Sequence, residues 1–331
     1  MTPLPASRRI AALALLVTLL ALLAGTTAAG AAGIERRFDV APGGRLEVAS
    51  EGASVAISTG NGAGARVRIT RGADDEKKIL DLYRVDFTQD GDRLSVELEH
   101  RRPWRLFEFR HQSPEIEIEL PRRFTVDVVT SGGAVAVEDL DGPVTARTSG
   151  GSIHLAAVGG PVVASTSGGS IRLASSAGDA DLRTSGGSIA IGEVEGTVRA
   201  RTSGGSIVIE RAAGAVTATT SGGSIEIAEV RGPIDASTSG GSVRAYLSEP
   251  PGADSRLRTS GGGITVHLDQ GIGIDLDARA SGRVSSDFAV ASGSGARRGW
   301  RDDGELVGAI NGGGPALVLR TSGGSIRVLR R

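Results

Sequence analysis

Glu193 and Glu195 stand two residues apart, and Asp139 and Asp141 show the same spacing upstream. Paired carboxylates are the raw material of acid–base chemistry on polysaccharides. That chemistry needs two acids, or a metal with a basic partner, gathered on one face. The chain repeats, so equivalent positions can be stacked. The column of Asp139 continues as Ala157, Ser175, Glu193, Arg211 and Glu229. The column of Asp141 continues as Gly159, Ala177, Glu195, Ala213 and Arg231. Acids occur without forming a neighbouring set, and Glu193 with Glu195 reads as a solvated corner. The four histidines, His100, His111, His154 and His267, show no ligand spacing. Calcium-binding repeats place Asp in each Gly-rich turn, and the turn here, TSGGS, carries none. A flat threonine lattice of the ice-binding kind needs Thr-x-Thr on every coil. Thr217 and Thr219 supply one pair, but Asp181, Arg183, Arg199 and Arg201 take the equivalent places.

Those arginines are a candidate contact. Arg183 and Arg201 lie one coil apart in one column, with Arg199 beside them. They form a small basic patch suited to an anionic glycan or a lipid head group. Asp181 and Glu195 balance it, and exposed pairs of this kind are common surface chemistry. No catalytic residue, cofactor site or metal set is assigned.

The element that positions all of this is a repeat. Seven copies of Thr-Ser-Gly-Gly stand 18 residues apart, starting at Thr130, Thr148, Thr166, Thr184, Thr202, Thr220 and Thr238. An eighth begins at Thr259 and a ninth at Thr321. An unbroken period of this length marks a chain that coils. In the coil TSGGSIHLAAVGGPVVAS the apolar residues fall at Ile153, Leu155 and Val158, then at Val162 and Ala164. The spacing of two within each run is strand periodicity. Sliding by 18 turns Ile153 into Ile171, Ile189, Ile207 and Ile225. The intervening site of His154 holds Arg172, Ala190, Val208, Glu226 and Arg244. One face is fixed and one is free, as in a strand with one buried side. Ala180 and Leu182, where other coils carry a large then a small residue, read as a volume swap in a packed interior.

Glycine falls at two places per coil. The first is the motif pair: Gly150 and Gly151, Gly168 and Gly169, Gly186 and Gly187, Gly204 and Gly205, Gly222 and Gly223. The second is a single residue half a coil later, at Gly142, Gly160, Gly178, Gly196, Gly214 and Gly232. Glycine permits positive φ and close backbone approach, so both sets read as corners. In a helix, Gly-Gly every 18 residues would cost about 2 kcal/mol per coil. The expected fold is an all-β, parallel β-solenoid (β-helix-like). It has about 18 residues and two short strands per coil, and strand twist and crossover rules make it right-handed. Seven coils would span roughly 30 Å at the interstrand spacing.

Composition agrees. The 331 residues carry a formal charge of −1, which gives no bulk electrostatic case for nucleic acid. Aromatics are 3%, and 50 residues are glycine, as suits a narrow core. No cysteine is present, so disulfides and Cys-based zinc sites are excluded. Residues 1–32 read as a secretory signal. Arg8 and Arg9 precede an apolar run from Ile10 to Ala24, and the small-residue stretch TTAAGAAG follows. The alternative is an uncleaved membrane anchor, although 15 apolar residues are short for a span. The mature body is expected in the periplasm, on the cell surface or in the medium.

Residues 36–129 are expected to form irregular first coils. Phe38 with Val40, Leu46 with Val48, Val55 with Ile57 and Val67 with Ile69 are strand-like pairs. A short helix is expected over Ala73 to Tyr83, and strands flank the turn at Gln89 to Asp92. Trp104, Leu106, Phe107 and Phe109 read as a packing plug rather than a sugar-stacking site. Residues 130–258 are the regular solenoid, and 259–331 are irregular coils and a cap. Within the cap, Arg297 to Gly304 reads as a loop. An exposed last coil is a strand edge through which copies could associate, and Arg327, Arg330 and Arg331 would blunt it.

The chain resembles the bacterial "putative adhesin" family, a domain of unknown function. The resemblance rests on the Gly-Gly strand pair after the signal, the lead-in EIEIELPRRF, the tandem TSGGSI coils and the ending INGGGPALVLRTSGGSI. It spans about residues 36–331 and implies a β-solenoid with envelope or secreted placement. It supplies no catalytic residues. The reading is an exported non-catalytic β-solenoid with an adhesin-like or scaffold role, its partner an envelope glycan or a surface protein. It includes no cofactor and no nucleic acid, and membrane contact only through an uncleaved signal. The alternative is a carbohydrate-active β-helix enzyme, a lyase or hydrolase, with its site near Trp104 or Trp300.

Overall fold

The computed structural model describes residues 33–60, 62–101, 113–292, 295–301 and 304–331; of 292 and 295–301 only the backbone is described. The expected signal and the Trp104 cluster lie outside the described residues.

The strands in chain order begin with β1 (Ile34–Phe38), β2 (Arg45–Ser50), β3 (Ser54–Gly60) and β4 (Ala65–Thr70). A helix, α1 (Glu76–Leu82), leads to β5 (Tyr83–Asp90), β6 (Arg93–His100), β7 (Glu115–Pro121) and β8 (Thr125–Thr130). The regular coils comprise β9 (Val135–Val137), β10 (Val144–Thr148), β11 (Ile153–Val158), β12 (Val162–Ser165), β13 (Ile171–Ser176) and β14 (Ala180–Arg183). They continue through β15 (Ile189–Val194), β16 (Val198–Arg201), β17 (Ile207–Ala212), β18 (Val216–Thr219), β19 (Ile225–Ile227) and β20 (Ile234–Thr238). Then come β21 (Val243–Leu247), β22 (Ser255–Thr259), β23 (Ile264–Leu268), β24 (Ile274–Ala280) and β25 (Val284–Ser292). The chain closes with β26 (Gly295–Arg301), β27 (Glu305–Ile310), β28 (Ala316–Thr321) and β29 (Ile326–Arg330).

The fold is an all-β, parallel solenoid. Each coil gives one strand to each of two faces. On the first face β9, β11, β13, β15, β17, β19, β21 and β23 stack in parallel. On the second face β10, β12, β14, β16, β18, β20 and β22 do the same. The register equals the repeat: Ile153 pairs Ile171, and Ile171 pairs Ile189. The inward residues Ile153, Ile171, Ile189 and Ile207 are buried, and so are Val162, Val198 and Val216 opposite them. Ala180 and Leu182 are both buried, and each lies between residues of the opposite size class: Val162 and Val198 for Ala180, Ala164 and Ala200 for Leu182. Burying each such Val, Leu or Ile contributes about 1.5–3 kcal/mol, and this drives the stacking.

Among the described residues before β8, part of the chain departs from the expected coils. Two coils keep the parallel register: β2 and β3 stack on β8 and β9, and β6 and β7 stack on β2 and β3. β4 runs antiparallel to β7, β1 antiparallel to β4, and β5 with β6 is an antiparallel hairpin. Antiparallel neighbours need only short connections, so a chain can reverse at the end of a stack. Helix α1 starts at an Asp75 cap that accepts the Lys78 N–H at 3.0 Å, and it buries Ile79. Phe38 of β1 meets Phe87 of β5 at 5.8 Å between ring centres, which joins the two edge strands.

At the other end the ninth TSGG copy stacks on the eighth across a long excursion. β22 pairs β28 with Thr259 opposite Thr321, and β23 pairs β29. Two expectations fail here. The segment Arg297 to Gly304, read as a loop, holds most of β26, an antiparallel partner of β25. Pairing across the hairpin overrides the polar composition. The last strand β29 is not an edge, because it lies between β23 and β25. Arg327, Arg330 and Arg331 therefore blunt no edge; Arg330 lies 5.1 Å over the Phe288 ring instead.

Ile189 is fully buried, whereas its neighbour Ala190 points outward. Ile189→Asp should unfold or fray the solenoid, and Ala190→Asp should change the thermal midpoint little. Equal tolerance in circular-dichroism melts would show the faces to be assigned wrongly.

Candidate functional site

The most ordered polar arrangement is the TSGG corner, and it is built by the threonines. Thr148 is buried; its hydroxyl donates to the Gly133 carbonyl of the preceding coil at 2.9 Å and accepts the Gly151 N–H at 3.3 Å. The same donation recurs from Thr166 to Gly151, Thr184 to Gly169, Thr202 to Gly187, Thr220 to Gly205 and Thr238 to Gly223, at 2.7–2.8 Å. It continues from Thr259 to Gly241 and from Thr321 to Gly262, at 2.6 and 2.7 Å. Each hydroxyl thus ties two coils together, and all but that of Thr220 also satisfy a turn amide. A second row accompanies it. The Ser170 N–H donates to the Ser152 hydroxyl at 3.2 Å, and the pattern runs through Ser188, Ser206, Ser224 and Ser242.

The glycines sit where the sequence places the corners, but for one of the two expected reasons only. None of Gly150, Gly168, Gly186, Gly204 or Gly222, nor any second glycine of those pairs, has positive φ. The requirement is closeness. A Cβ on Gly151, Gly169, Gly187, Gly205 or Gly223 would lie 2.1 Å from a carbonyl oxygen of the coil before. No side chain fits there. At the first glycine the contact is looser, 3.1 Å for Gly204. Among the described residues positive φ falls outside the regular coils, in the turn at Asn311, Gly312 and Gly313 among other places. The second corner also needs close approach: a Cβ on Gly232 would lie 2.5 Å from Gly214.

The candidate acids do not act as a pair. Arg211 sits between Glu193 and Glu229, at 3.2 and 3.0 Å, so this column is a ladder of alternating charge. Glu229 and Glu193 hold the guanidinium's pKa above its ordinary value. Among the described residues no group of three metal-ligating side chains is found. His154 lies 3.3 Å from Arg172, and His267 stacks on Tyr246 at 4.5 Å. Burial, then Arg244 and Arg331, push His267 below its ordinary value. Trp300 is described only by its backbone.

The basic patch is on the second face. Arg183 and Arg201 are direct register partners, and Arg199 is opposite Asp181. Arg183 is bound to Asp181 at 2.7 Å, while Arg201 has no partner among the described residues. Of this column, the 18-residue spacing alone marks Arg183 and Arg201, with Arg199 beside them. The same column continues to Arg258, Arg320 and Arg279, which are register neighbours in β22, β28 and β24. The signal for the first two is the residue before the motif, since RTSGG recurs at Arg147, Arg183, Arg201, Arg258 and Arg320. Nothing in the spacing announces Arg279. A groove of about 420 Å³ lies among these last three, with Ser239, Ser260 and Ser322 on its rim. On the first face a larger groove of about 620 Å³ lies over Ala156, Ala174, Ala190, Gly192 and Val208.

A family model described as Toastrack DUF4097 matches residues 44–271, about two thirds of the sequence and all the regular coils. The chain belongs to the Toastrack DUF4097 family. Solved structures with likeness to this Toastrack chain include a "putative cell adhesion protein" from Clostridium sporogenes. It is 11% identical, with a TM-score of 0.22 over 90% of this chain and 100% of that one. A "putative adhesin" from Parabacteroides distasonis is 11% identical, with a TM-score of 0.45 over 90% of this chain and 97% of that one. A "putative lipid binding protein" from the same organism is 12% identical, with a TM-score of 0.37 over the same shares. These likenesses are too distant to transfer a ligand. No curated protein matches the chain.

Thr202→Val leaves the Gly187 carbonyl and the Gly205 N–H without their partner and should cost about 1–3 kcal/mol in denaturant unfolding, with Thr202→Ser near wild type. Gly205→Ala should destabilise more than Gly204→Ala. For His267, the folded ring holds its proton less tightly than the unfolded one. Stability is therefore full above the unfolded value of about 6.5 and falls as pH drops through it. Melting midpoints from pH 8 to 5 should show a decline that His267→Gln reduces.

Proposed function

We propose that the chain is an exported, non-catalytic β-solenoid that binds or scaffolds at the bacterial cell envelope. The partner is an envelope glycan or a surface protein. One observation carries this reading. The inward positions and corner hydroxyls repeat from coil to coil, while the outward side chains change freely over two long, rigid faces. A stack of that kind presents a large surface with little reorganisation, which favours binding. The ladder Glu193–Arg211–Glu229 supports it too, because these acids are engaged with a cation rather than poised as an acid and a base. Export is supported by Arg8, Arg9 and the apolar run from Ile10 to Ala24. No helix among the described residues is long and apolar enough to cross a membrane.

Full-length protein incubated with purified envelope glycans, lipids and cell-surface extract should show saturable binding and no turnover. Deleting one whole coil, residues 184–201, should preserve folding and weaken binding, since surface along a solenoid is nearly additive. Polymer cleavage in the same tubes, abolished by one carboxylate substitution, would transfer the assignment to a carbohydrate-active enzyme.

A further inference from the structure

We propose that the arginine-flanked TSGG corner of the second face is a track for a linear polysaccharide bearing carboxylates, laid along the solenoid axis. This rests on the binding reading above and gives it a place and a ligand chemistry.

The track has two rows. Of the eight TSGG copies from Thr148 onward, five follow an arginine: Arg147, Arg183, Arg201, Arg258 and Arg320. In-register stacking turns that sequence habit into one column. On the other side of the buried threonine runs a column of exposed serines, such as Ser185, Ser203, Ser239 and Ser260. The hydroxyls of this column make no hydrogen bond within the described residues. The serine row is continuous, and the cation row is broken only by the hydroxyl residues Ser165, Thr219 and Ser237. Rungs recur about every 4.8 Å. That interval is close to the rise of one sugar in an extended chain.

The charges are arranged against the folding interest of the protein. Arg183 stacks on Arg201, and Arg258, Arg320 and Arg279 occupy three adjacent strands. Like charges directly opposite one another destabilise a sheet. Acids relieve part of this. Asp181 holds Arg183, Asp277 holds Arg320 and Arg279, and Glu305 holds Arg279 at 3.2 Å. Arg147 has only a distant contact with Asp127, at 3.9 Å. Arg201 and Arg258 have no acidic partner among the described residues, and Arg258 borders the groove of about 420 Å³. A guanidinium fork matches a carboxylate in two parallel hydrogen bonds, and the serines match sugar hydroxyls. The bulk charge of −1 argues against a nucleic acid, which would need a broad basic footprint.

The test uses full-length protein with polygalacturonate, with neutral dextran and with vesicles of phosphatidylglycerol. Binding to polygalacturonate should be saturable and should weaken as salt rises. The double variant Arg201→Glu with Arg258→Glu should lose about tenfold or more in affinity, as expected for two charge reversals at a complementary surface. Arg172→Glu, on the first face, should bind like wild type. Thermal melts establish that each variant is folded. Should the double variant unfold, Arg201→Gln with Arg258→Gln takes its place and should show a smaller loss of the same kind. Equal binding by folded double variant and wild type would overturn the track. So would binding to vesicles alone. Saturable binding to dextran but not to polygalacturonate would overturn the ligand class while leaving the envelope-binding reading standing. Binding to no glycan, lipid or surface extract would remove both.

Discussion

Every TSGG coil of this protein depends on one contact: the second glycine of the motif against the carbonyl of the coil before. A Cβ at Gly187 or Gly205 would lie 2.1 Å from that oxygen. Real atoms do not approach so closely, so any side chain there would push two coils apart. The backbone must pass at this distance because the threonine hydroxyl draws the coils together, with Thr202 on the Gly187 carbonyl at 2.8 Å. Close passage and buried hydroxyl are therefore one device. The hydroxyl saves a buried carbonyl from being left without a partner, and the missing Cβ gives the geometry that lets it reach.

The rest of the architecture follows from that fixed corner. With corners locked, the strand register has no freedom, and Ile189 must face Ile171 and Ile207. A slip of one residue would turn the whole aliphatic column outward. The same lock explains how the chain can leave the stack and return. Between Thr259 and Thr321 it builds β24 to β27, yet Thr321 finds the Gly262 carbonyl at 2.7 Å as though no excursion had occurred. The ends are free of the constraint and are built differently. They use antiparallel pairs, positive-φ glycines and larger side chains such as Phe38, Phe87 and Phe288.

What was legible in the sequence tracks this division. In-register repeats fix position by arithmetic, so the inward Ile153 column, the outward His154 column and the Ala180–Leu182 swap could be read directly. Strand direction at the ends could not. Val67 and Ile69 alternate like any coil strand, but β4 runs antiparallel because its partner β7 is specified by tertiary packing rather than by spacing. Arg297 to Arg301 is polar enough to read as loop, and only the hairpin with β25 makes it a strand. The terminal arginines were misplaced because β25 pairs beyond β29, an arrangement that sequence order conceals. The site was half legible. Arg183 and Arg201 share a coil position, whereas Arg279 joins their column through the excursion, at no multiple of the repeat.

Stacking in register also sets an electrostatic problem that the chain solves in most columns. Whatever charge occupies one outward position meets the same position of its neighbours about 4.8 Å away. The usual solution is alternation: Glu226 with Arg244 at 3.5 Å, and Glu193 with Arg211 and Glu229. Such pairs contribute little on an exposed surface, but they avoid repulsion. Against that habit the arginine column beside TSGG is an exception. It places Arg on Arg at three points and leaves Arg201 and Arg258 without an acid among the described residues. Stability alone would favour alternation there too, because each outward site is free to vary. A departure that costs stability, and that coincides with an unbonded row of serines and a groove, is better explained by what the surface meets than by how the chain folds.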